Sequence, residues 1–551
     1  MLHFKPREIP PAGSLPDLDP WLNDLLLIRG IDTPEKAARF LNPRLPDLHD
    51  PFLLHDMEKI ITLLRNAIAS HTPILVWGDY DADGVCASAI LTETLREEGA
   101  EVSWRLPSRH TEGYGLNAPG IREAAQNFGL LITVDCGISA HAEVALAKQL
   151  GMTVIVTDHH ALPPELPPAD AVTNPLLSNY PCPYLCGAGV ALKICQALQG
   201  MPGVEKRLDL AAIATVADVV PLLDENRVIV REGLDRIPLS SRPGLQALLK
   251  SSGTTPPLRA DHLGFRLGPR LNAAGRLETA DLAEELLLTR DPEKASALAE
   301  QLEALNTRRQ QQEKEITLAA DAQARSRADF DETRCLMVLG KGWNPGLIGL
   351  TAGRLCEKYH KPAITLSLEG DTAVGSCRSI PGVHIFHVLQ QCGDLLERFG
   401  GHAQAAGLTV RYDRLKDFYL RLNRVIRETC DPACFEPVQE YDLAFPFSAW
   451  TPEALEKLSL LEPTGCGNPP PLFLLSGASV QSMRRVGRDM NHLQMTLLSD
   501  QTLLKGIAFS MGPEADKAYQ TVDILYRPTL NEFRGKISVE AQVTALRPSN
   551  K

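Results

Sequence analysis

The chain has 551 residues, 44% of them hydrophobic and 23% charged, so it is read as a soluble globular protein of about three or four domains. No apolar run approaches the roughly 20 residues that cross a bilayer, the N-terminal stretch has no secretory apolar core, and the 12 cysteines include no CxxC or CxxH pair. This argues against a membrane protein, a disulfide scaffold and a structural zinc site, and a cytoplasmic location is expected. The net charge of −12 taken alone disfavours nucleic acid, because counterion release rewards basic surfaces.

In chain order, residues 1–50 read as a helical extension with loops (WLNDLLLIRG, TPEKAARFL) and carry no evident chemistry. From about residue 51 short apolar runs alternate with helical periods. PILVWG, EVSWRL, LLITVD and MTVIVTD are strand candidates, and VCASAILTETLREEG and HAEVALAKQLG are helical. Such alternation predicts βαβ units and a doubly wound parallel sheet over 51–240. A linker over 241–330 ends in a polar run, 293–328, without Gly or Pro, which predicts one long helix. A second α/β region is expected over 331–435. Short strand-like runs over 436–551 suggest a small β-barrel.

Four acidic or histidine clusters carry the chemistry. Asp79, Asp81 and Asp83 lie in GDYDADG, directly after PILVW. Asp135 follows LLIT, and Asp158-His159-His160 follow TVIVT. In an open parallel sheet, ligands bind beyond the carboxyl ends of the strands, so three clusters are expected at one rim. Asp218, in the apolar segment LDLAAIATVADVVPL, is expected to enter from a helix beside them. Each cluster has a plainer reading. DxDxDG resembles half of an EF-hand loop, but Ile90 stands where the twelfth-position Glu would be. Asp135 alone could be a turn residue, the histidines could be surface groups, and Asp218 could be a buried, hydrogen-bonded carboxylate. A mixed Asp/His set suits Mn²⁺ or Mg²⁺. Two such ions relieve carboxylate repulsion and suit in-line phosphoester hydrolysis.

This set resembles the signature motifs of the DHH phosphoesterase superfamily. Further segments are similar to its RecJ-type single-strand exonucleases: RHTEGYGLN, CGAGVALK, GPRLNAAGR, WNPGLIGLTAGRL, GSCRS, FGGHAQAAG and LEPTGCGNPPPLF. The resemblance runs from about residue 50 to the end. It implies an α/β multidomain fold with a DHH domain, a long connecting helix, a DHHA1 domain and a C-terminal OB-like barrel. It implies two ions, Mn²⁺ or Mg²⁺, with Asp135 bridging, Asp81 on one ion, and Asp83, His159 and Asp218 on the other. His160 would contact the scissile phosphate, and Asp158 would orient a histidine. Many family members with small substrates carry a histidine four residues before Asp81; here that residue is Trp77, and Asp79 or water is the expected replacement.

Phosphate or DNA contacts are expected from Arg109, Arg270, Asn272, Arg276, Arg354, Ser376, Arg378, Gly400, Gly401 and His402. GPRLNAAGR reads as a short loop. FGGHAQAAG reads as a phosphate loop, or else as a tight turn between a helix and a strand. In the barrel, Arg484, Arg485, Arg488, Tyr526, Arg527, Phe533 and Arg534 are candidates for gripping a strand. Arg308-Arg309 on the long helix is a weaker candidate. The implied function is 5′-to-3′ hydrolysis of single-stranded DNA in repair and recombination, by a monomer working beside a single-strand-binding protein and a helicase. The alternatives are a phosphodiesterase acting on short oligonucleotides or cyclic dinucleotides, and an inactive scaffold like the Cdc45 relatives of the superfamily; filled motifs oppose the latter.

Overall fold

The computed structural model describes every residue except 1–2, 12–14, 16–17, 110, 534–535 and 550–551, and of 532–533 and 536–537 the backbone. The chain divides into two compact units. One comprises 1–105, 115–268 and 438–551; the other comprises 106–114 and 269–437.

The first unit holds a five-stranded parallel sheet. Its elements are β1 (Ile74–Trp77), α1 (Ala82–Glu97), β2 (Val102–Arg105), β3 (Leu130–Thr133), β4 (Thr153–Thr157), β5 (Ala171–Thr173), α2 (Gly187–Glu205) and α3 (Leu208–Ala217). The strand order is β2-β1-β3-β4-β5. Every residue of β1 and β3 is buried, as their unbroken Leu/Ile/Val runs require of strands covered on both faces. The order reverses between β1 and β3, which opens a crevice at their carboxyl ends. Trp77 ends β1 fully buried in the core with Leu116, Ile121 and Val144. Its packing is hydrophobic, and the guanidinium of Arg105 lies 4.9 Å from its ring.

The second unit contains α4 (Pro292–Arg325), the long helix expected from the sequence, then β6 (Leu336–Lys341), α5 (Ile348–Tyr359), β7 (Ala363–Glu369), β8 (Thr372–Arg378), β9 (Arg398–Gly401), β10 (Ala405–Arg411) and α6 (Leu415–Thr429). Its sheet runs β9-β10-β8-β7-β6, with β6 and β7 parallel and the rest antiparallel. Two local readings are corrected here. GPRLNAAGR is helical (Gly268–Leu277), not a loop. Its Leu, Ala and Arg residues favour helix, and a proline in the first turn is tolerated because the first N–H groups lack partners anyway. FGGHAQAAG is the hairpin joining β9 to β10, not a turn between a helix and a strand.

The C-terminal part of the first unit is a closed five-stranded barrel: β11 (Phe473–Val486), β12 (His492–Ser499), β13 (Thr502–Ala508), β14 (Thr521–Phe533) and β15 (Lys536–Pro548). The strands pair β11-β12-β13-β15-β14, and β14 returns to β11 to close the barrel, with the short strand Leu443–Ala444 added in parallel beside β11. Two helices, Pro20–Ile28 and Pro34–Leu41, lie within the first 50 residues, and they do not stand apart. Leu22, Leu25, Leu26 and Phe40 share one apolar cluster with Trp450, Phe473 and Tyr526. Residues His3–Pro6 pair in parallel with Val438–Tyr441. Among the described residues, no helix is long and apolar enough to cross a membrane.

Candidate active site

All four acidic clusters meet at the carboxyl ends of β1, β3 and β4. Asp81 caps α1, its carboxylate accepting from the N–H groups of Asp83 (2.9 Å) and Gly84 (3.1 Å). Asp83, one residue into the same helix turn, is buried. Its carboxylate accepts from Gly187 N–H (2.6 Å) and Ala188 N–H (2.8 Å) at the start of α2. The CGAGVALK segment thus locks a candidate ligand from behind, a role the sequence reading missed; its paired small residues were the available signal. A Cβ on Gly187 would stand 2.4 Å from Cβ of Asp135, so only glycine lets α2 come this close. Asp135 itself has φ +60°, a left-handed conformation that is uncommon outside glycine and frequent at functional sites.

His159 Nε2 lies 3.1 Å from Asp135 Oδ1, 3.6 Å from Asp218 Oδ2 and 3.8 Å from Asp83 Oδ2. Two donor sets converge within 4.8 Å: Asp79, Asp81 and Asp135, and beside them Asp83, His159 and Asp218. His160 also joins Asp135 and His159 in a third grouping. Trp77 contributes no donor, and Asp79 stands in the first set. Asp218 sits at the C-cap of α3 rather than within it, followed by Val219 at φ +60°.

The electrostatics fit a cation site. Burial, and then the charges of Asp83, Asp81, Asp79 and Asp218, push the Asp135 carboxyl well above its ordinary value. Burial, then Asp83 and Asp81, raise Asp218 to about 9. Burial lowers His159, keeping its ring neutral and able to donate a lone pair. Carboxylates crowded this way are stable as anions only with cations between them. Asp158 differs. Burial opposes its ionisation, but hydrogen bonds from His160 and from the backbone N–H of Ile138 outweigh it and hold its carboxyl below the ordinary range. It accepts from Ile138 N–H (2.9 Å), His159 N–H (2.7 Å) and His160 Nδ1 (2.7 Å). Burial disfavours the charged form of His160, yet the Asp158 contact raises its pKa to about 9. That ring is therefore cationic and fixed in orientation at neutral pH.

The expected phosphate contacts all belong to the second unit, where the structure separates them into groups. Ser376 and Arg378 lie on β8. Arg378 donates to Ser376 Oγ (3.2 Å) and to Cys377 O (2.8 Å). Burial, and the nearby charge of Arg109, depress the Arg378 guanidinium. Gly400 and Ser376 both pair with Gly407, placing them in one row across the sheet. Gly401 and the exposed His402 follow at the hairpin tip, where His402 N–H bonds Ala405 O (2.8 Å). The other arginines are already engaged. Arg354 pairs with Glu313 (2.5 Å) and Arg270 with Glu303, while Arg276 donates to Gly346 O (3.1 Å). Asn272 lies on the helix with Arg270 and Arg276. Arg308 and Arg309 are bound to Glu278 and Glu313.

In the barrel, Tyr526 is corrected. It is fully buried, accepts from Trp450 Nε1 (2.8 Å), and cannot stack a base. Arg484 is bonded to Gln494 and Arg485 to Asp516; Arg488 is exposed, and Arg527 is half-buried. The side chain of Phe533, all of Arg534, and His110 of RHTEGYGLN lie outside the described residues. Phe509, 56% exposed and edge-on to His492 at 5.2 Å, is an aromatic the sequence reading passed over.

Comparison with known proteins agrees with this geometry. The sequence matches the DHH family, N-terminal domain, over 73–217, the DHHA1 domain over 332–428 and the RecJ OB domain over 441–545. A Bacillus subtilis protein named single-stranded-DNA-specific exonuclease RecJ is 38% identical over 528 residues, covering 94% of this chain and 67% of that one. The Escherichia coli protein of the same name is 34% identical, with 99% of each chain covered. The crystal structure of RecJ in complex with Mn²⁺ from Thermus thermophilus superposes with a TM-score of 0.86 at 31% identity, covering 100% of this chain and 80% of that one. With near full-length identity of this order, and all three domain types in sequence, the chain belongs to the RecJ family.

Proposed function

We propose that this chain is a metal-dependent exonuclease that hydrolyses the phosphodiester bonds of single-stranded DNA from the 5′ end, with two Mn²⁺ or Mg²⁺ ions. The observation that carries the reading is the pair of adjoining donor sets, Asp79/Asp81/Asp135 and Asp83/His159/Asp218, at the β1–β3 switch point. Asp135 belongs to the first set and lies 3.1 Å from the histidine of the second, the position a bridging ligand needs. Two divalent ions there supply Lewis-acid charge neutralisation and lower the pKa of water for attack on phosphorus.

The chain's own groups do the rest. Asp83 is oriented by the α2 N–H groups, and Asp158 holds the His160 ring through Nδ1. His160, as a cation, addresses a non-bridging phosphoryl oxygen through Nε2 and offsets the negative charge that develops there. Ser376, Arg378 and Arg109, with the Gly400–His402 turn, form the grip on the strand's phosphates. The barrel adds a further single-strand surface. The 5′ polarity, a monomeric state, a cytoplasmic location and work beside a single-strand-binding protein and a helicase in repair follow from the family resemblance.

The test uses matched single-stranded and duplex oligonucleotides, labelled at each end in turn, with Mn²⁺ and with chelator. Mononucleotides should appear from the 5′ label of the single strand only, and chelator should stop their release. Equal rates on duplex, or faster cleavage of a dinucleotide than of a long strand, would reject the assignment.

A further inference from the structure

Asp218 lies where α3 gives way to a loop. It caps α3, and the next residue, Val219, is 67% exposed with φ +60°. A β-branched side chain in that region is strained, and the conformation persists only where surrounding structure imposes it. The last turn of α3 supplies part of that imposition, through Asp218 N–H to Ala214 O (2.9 Å) and Val219 N–H to Val216 O (3.2 Å); the loop beyond is held from outside the helix. Leu222 N–H donates to Cys466 O (2.8 Å), and Asn226 Nδ2 donates to Pro221 O (3.0 Å). Gly465 and Gly467 lie against Leu222 and Pro221: a Cβ on Gly467, at φ +70°, would stand 2.9 Å from Cβ of Pro221. Residues 221–223, three to five positions beyond Asp218, therefore rest on 465–467, a segment some 245 residues further along the chain, in LEPTGCGNPPPLF.

That distant segment is itself clasped with unusual completeness. All five N–H donors of the Arg227 guanidinium end on backbone carbonyls. Nε meets Phe40 O (2.7 Å), Nη1 meets Leu461 and Pro463, and Nη2 meets Leu460 and Glu462. The Phe40 ring lies 3.9 Å from the same guanidinium. Arg227 is on the helix that begins just after the 219–223 loop, so one helix grips both ends of the arrangement. Asn468 is fully buried and donates to Leu461 O (2.8 Å) and Pro463 O (2.9 Å). Its Oδ1 accepts from Arg29 Nε (2.8 Å) of the N-terminal extension, and Arg29 also donates to Pro469 O (2.9 Å).

We infer that residues 460–469, clasped by Arg227, Arg29 and Asn468, form a strut that sets the position of Asp218 and thereby tunes the affinity of one metal site. The strut residues are positioning residues, and the N-terminal extension acquires a role through them. The inference rests on Asp218 being a metal ligand, so the experiment tests the two separately.

The full chain, stripped of metal, is titrated with Mn²⁺ while EPR measures the free ion. Asp218→Asn should weaken one Mn²⁺ site about 10–100-fold, the range for disturbed metal shells. Gly467→Ala, which drives a methyl group into Pro221, should weaken the same site about ten-fold. Asn468→Ala removes bonds without adding bulk and should act the same way if Gly467→Ala fails to fold. The deciding readout is the double variant: on an Asp218→Asn background, neither strut substitution should weaken Mn²⁺ further. Folded strut variants that bind Mn²⁺ like the parent, or losses that add to that of Asp218→Asn, overturn the strut. No change in Asp218→Asn itself would overturn the metal role of Asp218 instead.

Discussion

The molecule holds two clusters of like charge, and they are stabilised by opposite means. Around Asp135 the carboxylates have one neutral imidazole among them, and Asp135 and Asp218 are pushed toward protonation. In the second unit, two of the five arginines expected to bind phosphate carry their own counterions: Arg354 with Glu313, and Arg270 with Glu303. Arg378 differs from these two, since among the described residues its side chain bonds Ser376 Oγ and Cys377 O and no carboxylate. A cluster that cannot neutralise itself calls for cations at the acidic centre and for an anion at Arg378; an arginine that already holds a carboxylate calls for an anion less.

The comparison breaks most visibly at Asp135. Asp135→Ala should lower kcat by at least about 10³-fold, the scale of a lost electrostatic centre, while the chain remains folded and still binds single-stranded DNA. Single-turnover cleavage and a binding isotherm measure both effects; retained cleavage would remove Asp135 from the centre.

Next in size is the contrast between two arginines. Arg378→Ala should raise KM about ten-fold or more, because a charge-assisted contact to phosphate is lost. Arg354→Ala should change KM less than about two-fold, since a half-exposed ion pair contributes little. Equal effects in the two variants would dissolve the distinction between a grip and a structural pair.

How far the sequence shows this centre depends on which residue is considered. Asp79–Asp83, Asp135 and Asp158–His160 follow unbroken apolar runs, and a parallel sheet must gather whatever follows its strands at one rim. That inference needs only periodicity. Asp218 was legible as an odd carboxylate in an apolar segment, but not as a helix cap, because a helix end one residue early leaves the same pattern. GPRLNAAGR misled because its glycines suggest a loop, although in the structure packing holds it as helix. Tyr526 misled because an aromatic beside arginines looks like a stacking platform, whereas its strand is buried on both faces there, with a bulge between Leu525 and Tyr526, and the ring packs inward with Trp450. The long-range clasp at Arg227 was not legible, since all five of its bonds go to backbone carbonyls, which leave no residue signature.

The smallest expected effect is the response of the metal-free fold to pH, and its sign follows from the same repulsion. The Asp218 carboxyl is raised from its ordinary 3.8 to about 9, so the native state holds a proton the unfolded chain has lost. Stability from that proton is full below the unfolded value and falls as pH rises through about 9. His160, raised from 6.5 to about 9 by Asp158 against burial, runs in the same direction. Asp158 runs the other way, but its low pKa places its change in acid, outside this window. Between pH 6.5 and 9, therefore, the Tm measured in chelator should fall steadily, and Asp218→Asn should flatten the slope. With Mn²⁺ present the trend should reverse, because metal and protons compete for the same oxygens and deprotonation favours the metal. A chelated Tm that stays level over this range would show that the acidic centre neutralises itself after all, and would erase the contrast with the arginine cluster.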